Sequence, residues 1–137
     1  MSVGSLLPPV SDEAASPEVA AVFADIRTTR QTDFINNFWR VLANDPAGLA
    51  RTWASVKEVM GPGAIDPVTK EMIYIAVSAA NGCPYCIHSH TAAARAKGMD
   101  NAMLAELFAI VGMASETNAL ATALQVPVDD AFKGRGS

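Results

Sequence analysis

The chain has 137 residues, half of them hydrophobic and 18% charged, with a formal net charge of −4. That length fits one domain with a real core, and ten scattered Lys and Arg residues, with no basic block, argue against a nucleic-acid partner. So apolar a small chain is expected to associate with itself, but its longest apolar run, Met72 to Ala80, is far short of the ~20 residues that cross a bilayer, so no membrane role is expected.

The opening Met-Ser-Val-Gly-Ser-Leu-Leu-Pro-Pro has neither a basic n-region nor a proper h-region. It does not read as a signal peptide, and a cytoplasmic location is expected. Residues 1–15 are expected to be extended or mobile. Ser16-Pro17-Glu18 reads as a helix cap followed by Pro at the first helical position, opening an amphipathic helix to about Thr28. A second helix is predicted over Phe34 to Leu42. A third starts at Asp45-Pro46 and stops at the Gly61-Pro62-Gly63 breaker.

Asp66-Pro67 opens a fourth helix that reaches Asn81-Gly82 and is apolar nearly all round, the pattern of a central buried helix. Asn and Gly tolerate the left-handed conformation that ends helices, so the chain can turn there. A fifth helix runs from Cys83-Pro84 to Lys97. Asp100 caps a sixth to about Met113, and Ser115 a short seventh from Glu116 to Leu124; residues 128–137 are expected to be extended or mobile. The prediction is an all-α bundle of six to seven helices in a single domain over 1–137, with its core at about 45–113. Its centre is an antiparallel helix pair carrying the Cys-x-x-Cys sequence.

Two cysteines are too few for a secreted disulfide scaffold, and a close pair in a reducing compartment is more often catalytic or metal-binding. They lie in Cys83-Pro84-Tyr85-Cys86-Ile87-His88-Ser89-His90. At about 100° per residue, Cys86 falls roughly 60° from Cys83, and His90 returns to within about 20° of it. Cys83, Cys86 and His90 form one stripe, from which His88 points away. At a helix start, unpaired N–H groups and the positive dipole end favour thiolate over thiol. Cysteines three apart there are also close enough to bridge, so they can serve as a nucleophile and its resolving partner.

If the chain folds back at Asn81-Gly82, Glu71 lies about 15 Å before the turn and His90 about 11 Å after it, roughly level. A carboxylate there can orient His90, which can then take the proton of Cys86. Tyr74 and Ser78 share the Glu71 face and are assigned to packing and local hydrogen bonding. Trp39 and Trp53 are assigned to packing, and Met99, Met103 and Met113 to core or interface.

Glu71, eleven residues, Cys83, two residues, Cys86, three residues and His90 together resemble the Glu…Cys-x-x-Cys-x-x-x-His motif of the AhpD-like alkylhydroperoxidases, within the carboxymuconolactone decarboxylase superfamily. The stretch from about Asp45 to Met113, with Asp66-Pro67-x-x-Lys70-Glu71, is similar to that family's repeat unit. The resemblance implies an all-helical fold, a trimer or hexamer, and peroxidase or disulfide-reductase chemistry. Carried over by position, it makes Cys86 the attacking thiol, Cys83 the resolving one, and His90 with Glu71 the proton relay, with an intervening water. Some members have a histidine where this chain has Tyr85, which leaves the relay intact. The implied substrate is a small hydroperoxide. The implied reductant is an external dithiol of lipoyl or thioredoxin type, or a peroxiredoxin partner. No flavin or nicotinamide cofactor is implied, since the chain has no Gly-rich phosphate fingerprint.

Other readings stay open at this point. Two thiolates, an imidazole and a carboxylate would suffice for zinc, which suits a metal-binding or scaffold protein. Decarboxylase-like chemistry on a lactone acid also occurs in the superfamily, although such a reaction has no need of two thiols. The plainest reading makes Cys83 and Cys86 two small buried hydrophobes that happen to be close, which their register with His90 opposes.

Overall fold

The structure, a computed structural model, describes residues 4–134. Among them are six α-helices, one 3-10 turn and no strand. The all-α expectation holds. The helices are α1 (Pro17–Arg30), α2 (Asn37–Leu42), α3 (Pro46–Met60), α4 (Pro67–Asn81), α5 (Pro84–Ala96) and α6 (Asn101–Ala123). The chain divides into two compact units at the Gly61/Pro62 break. The extended ends expected from the sequence fall partly on residues 1–3 and 135–137, which lie outside the described residues.

The first unit holds α1 to α3. Ser16 and Asp45 cap α1 and α3 by accepting from Val19 N–H and Gly48 N–H, and Pro stands at each first turn. Its core joins Val19, Phe23 and Ile26 of α1 to Trp39, Leu49 and Trp53. The two Trp rings meet edge-on at 5.5 Å, a favourable aromatic geometry. Residues 4–15 carry no helix, yet they are tied down: Val10 N–H donates to Arg40 O, Asn44 to Pro8 O, and Arg27 grips both oxygens of Asp12.

Helix α2 starts three residues later than the hydrophobic spacing suggests. Gln31 takes the left-handed conformation that closes α1, Phe34 N–H donates to Thr32 Oγ1, and Arg27 Nε donates to Asp33 O. These bonds give the backbone of 31–34 a non-helical alternative. Ile35 still enters the core, while Phe34 stays exposed.

The second unit holds α4 to α6. Asp66 caps α4 by accepting from Thr69 N–H and Thr69 Oγ1–H, and Asp100 caps α6 by accepting from Met103 N–H. Helix α4 packs against both α5 and α6, around a core of Ile75, Ala94, Met99 and Leu107. The expectation that α4 is buried all round needs correction. Glu71, Ile75 and Ser78 are buried, but Ile73 and Val77, on the far side, are about half exposed at 48% and 53%. Its partners α5 and α6 leave that side uncovered.

The predicted sixth and seventh helices are one continuous α6. Ser115 does not cap a new helix; its hydroxyl donates back to Val111 O, four residues earlier. That local bond satisfies the side chain within the helix. With no Gly-Pro pair in the way, the strong helix formers around it carry the helix to Ala123.

Candidate functional site

The site is built at the turn between α4 and α5. Gly82 ends α4 in the left-handed conformation, with φ of 72°, where glycine avoids the Cβ penalty. Its N–H donates to Ala79 O, and Cys83 N–H reaches back to Ser78 O at 2.9 Å. These bonds satisfy the last carbonyls of α4 and reverse the chain within two residues. Helix α5 therefore folds back along α4.

Cys83 is the N-cap of α5, and Pro84 occupies its first turn. Cys86 N–H donates to Cys83 Sγ at 3.3 Å, so sulfur takes the capping role that a side-chain oxygen fills at the starts of α1, α3, α4 and α6. Cys83 and Cys86 are joined in a disulfide, with Cα atoms 5.4 Å apart. That spacing is ordinary for a bridge. Both cysteines and His90 are half-buried, Tyr85 is 43% exposed and His88 is exposed.

The fold-back brings Glu71 and His90 together. His90 Nδ1 and Glu71 Oε2 are 2.7 Å apart. Burial works to raise the Glu71 pKa, but the hydrogen bonds from His90 and Lys97, helped by their charges, outweigh it. The carboxyl is held below its ordinary value. An ionised carboxylate only accepts, so Nδ1–H is the donor, and in the neutral ring Nε2 is then the free base.

Two further residues complete this arrangement. Lys97 Nζ donates to Glu71 Oε1 at 2.7 Å. The Tyr74 ring stacks on the His90 imidazole, with centroids 3.5 Å apart and planes 18° from parallel. The sequence puts Tyr74 on the right face, with packing and local hydrogen bonding as its expected roles, and Lys97 is absent from the residues expected at the site. The signal for Lys97 was present: it lies seven residues after His90, two turns along the same stripe of α5.

Among the described residues no group of three or more His, Cys, Asp or Glu side chains is arranged to hold a metal ion. Glu71 has both oxygens engaged, by His90 and Lys97. No helix among the described residues is long and apolar enough to cross a membrane.

Comparison with known proteins bears on this geometry. The model of the carboxymuconolactone decarboxylase family matches residues 47–129. An alkyl hydroperoxide reductase from Mycobacterium tuberculosis is 30% identical over 81% of this chain and 32% of its own length. An uncharacterised protein of the cox locus of Paracoccus denitrificans is 40% identical over 36% of this chain and 45% of its own. The chain thus spans less than half the length of the curated relatives it matches. The crystal structure of an alkylhydroperoxidase AhpD core from Rhodospirillum rubrum superposes with a TM-score of 0.91 at 61% identity, covering 95% of this chain and 98% of the other. With its helical fold and the disulfide at the start of α5, the chain belongs to the carboxymuconolactone decarboxylase family, as an AhpD-like member.

Proposed function

We propose that this protein is a thiol-dependent peroxidase that reduces hydroperoxides through a Cys83–Cys86 dithiol/disulfide cycle. The carrying observation is the bridge at the N-terminus of α5, in register with a His90 that is oriented by Glu71. Similarity to an alkyl hydroperoxide reductase and to an alkylhydroperoxidase core supports the choice of hydroperoxide as substrate.

In the proposed cycle His90 takes the Cys86 proton, and the thiolate is stabilised by the first-turn N–H groups of α5. The thiolate attacks the distal peroxide oxygen. The O–O bond breaks, an S–O bond forms, and the alkoxide leaves as an alcohol with the proton returned by His90. Cys83 then displaces hydroxide from the sulfenic acid, giving the disulfide and water. Peroxide is reduced by two electrons and the dithiol is oxidised by two. An external dithiol of lipoyl or thioredoxin type, acting directly or through a peroxiredoxin partner, returns the pair to thiols by exchange.

The protein works as a homo-oligomer, a trimer or hexamer, in the reducing cytoplasm. Supporting association, Ile73 and Val77 of α4 and Ile110, Met113 and Leu120 of α6 are all about half exposed or more. The test of function is steady-state turnover of an organic hydroperoxide with a dihydrolipoyl donor. Wild type is expected to turn over, and Cys86→Ser to lose that turnover. Full activity in Cys86→Ser would overturn the reading.

A further inference from the structure

Glu71 is an acid buried to 5% exposure, and the His90 hydrogen bond engages only one of its oxygens. Each oxygen has its own donor: His90 on Oε2 and the Lys97 ammonium on Oε1, both at 2.7 Å. The arrangement is therefore a three-member chain, Lys97–Glu71–His90, along one side of the α4–α5 pair.

Lys97 reaches Glu71 from a fixed backbone. It is the C-terminal cap of α5, where its N–H donates to Ala94 O. The next two residues close the helix: Gly98 N–H donates to Arg95 O, and Met99 N–H to Ala94 O with Met99 buried at 3%. The stem of Lys97 thus starts from an anchored point, so less order has to be gained when the ammonium docks. Most surface ion pairs contribute little because both ends are solvated. Here the acceptor is buried, and an unpaired buried carboxylate would be costly.

We propose that Lys97 is a positioning residue of the site: by pinning Glu71 Oε1 it keeps the carboxylate charged and turned so that Oε2 stays on His90 Nδ1. His90 Nε2 is then left as the proton-exchanging nitrogen, because a carboxylate on one ring nitrogen fixes the tautomer and leaves the other nitrogen free. Without Lys97, the burial of Glu71 opposes its charge with only the His90 hydrogen bond left to offset it. Glu71 then takes up a proton more readily as pH falls and stops accepting the Nδ1 hydrogen bond.

The other titratable groups on the pair are Lys70 and Tyr74 of α4 and Tyr85, Cys86, His88 and Arg95 of α5. Helix α6, packed on α4, brings Glu106 and Glu116. The charges that act on Glu71 are those of Lys97 and His90. For its functional consequence, this inference rests on the peroxidase reading above.

The experiment compares wild type, Lys97→Met and Lys97→Arg by two readouts. The first is carbon NMR titration of the Glu71 carboxyl, assigned by its loss in Glu71→Gln. The second is hydroperoxide turnover against pH. In Lys97→Met the carboxyl titration is expected to move to higher pH. Turnover is expected to fall roughly tenfold at acidic pH, in keeping with one lost charge-assisted hydrogen bond, and to approach wild type at alkaline pH. Lys97→Arg is expected to restore both. An unchanged carboxyl titration in Lys97→Met overturns the proposal, and so does a moved titration with an unmoved pH profile. If wild type shows no turnover, the peroxidase reading fails, and the carboxyl titration still decides whether Lys97 pins Glu71.

Discussion

Glu71 and His90 stand nineteen residues apart in sequence and meet at 2.7 Å, on facing sides of the α4–α5 pair. Their meeting depends on a reversal of the chain within two residues, at Gly82 and Cys83. The disulfide, the histidine and the carboxylate are thereby gathered onto two helices of one unit.

Replacing Glu71 by Gln removes the charge but keeps the shape. The carboxyl is held below its ordinary value when folded, so its stabilising contribution is present above the unfolded carboxylate pKa. It is lost as pH falls through the folded value. Glu71→Gln is expected to cost about 1–3 kcal/mol at neutral pH, a deficit that narrows on acidification. Urea unfolding of both proteins at neutral and acid pH checks this; a deficit that widens in acid would contradict it.

Gly82→Ala places a Cβ on a residue with φ of 72°. Open space surrounds that position, so the penalty is conformational, about 1–2 kcal/mol. Denaturant midpoints measure it. Because the same turn sets the register of α5 against α4, the variant is also expected to weaken the Glu71–His90 contact, seen as altered His90 ring resonances.

Tyr74→Leu keeps an apolar side chain over His90 but removes the stacked ring. The expected loss is about 0.5–1.5 kcal/mol of stability, with turnover reduced by a looser imidazole. Calorimetry and steady-state rates test the two parts separately. Tyr74→Phe retains the stack and is expected to behave as wild type in both.

Much of this was legible because helix punctuation is local chemistry. Ser16, Asp45 and Asp66, each followed by Pro, fixed three helix starts, and all three side chains cap as expected. Asn81-Gly82 announced the fold-back, and helical phase alone chose His90 over His88. What remained hidden was decided by partners distant in sequence. Lys97 has meaning only once α5 lies on α4, and the Tyr74 stack depends on the same packing. The uncovered side of α4 could not be read from an apolar run, since periodicity says what a helix can bury and not what comes to cover it. Ser115 was misleading for a related reason: serine caps helices or bonds back within them, and only the neighbouring backbone decides which.

The exposed apolar side chains of α4 and α6 make the proposed oligomer testable. Ile110 is 55% exposed on a helix with Leu107 as its one buried residue. Ile110→Glu is expected to lower the sedimentation mass while leaving helical content unchanged. Wild type sedimenting as a monomer would contradict the proposed assembly.

The most direct test of the redox account uses reduced Cys83→Ser protein, which has no resolving thiol, exposed to one equivalent of an organic hydroperoxide. Mass spectrometry is expected to find one added oxygen on Cys86, trapped as sulfenic acid, while wild type under the same conditions loses two hydrogens and closes the Cys83–Cys86 bridge. Unmodified Cys86 in the variant, with wild type still in the dithiol form, would contradict the account.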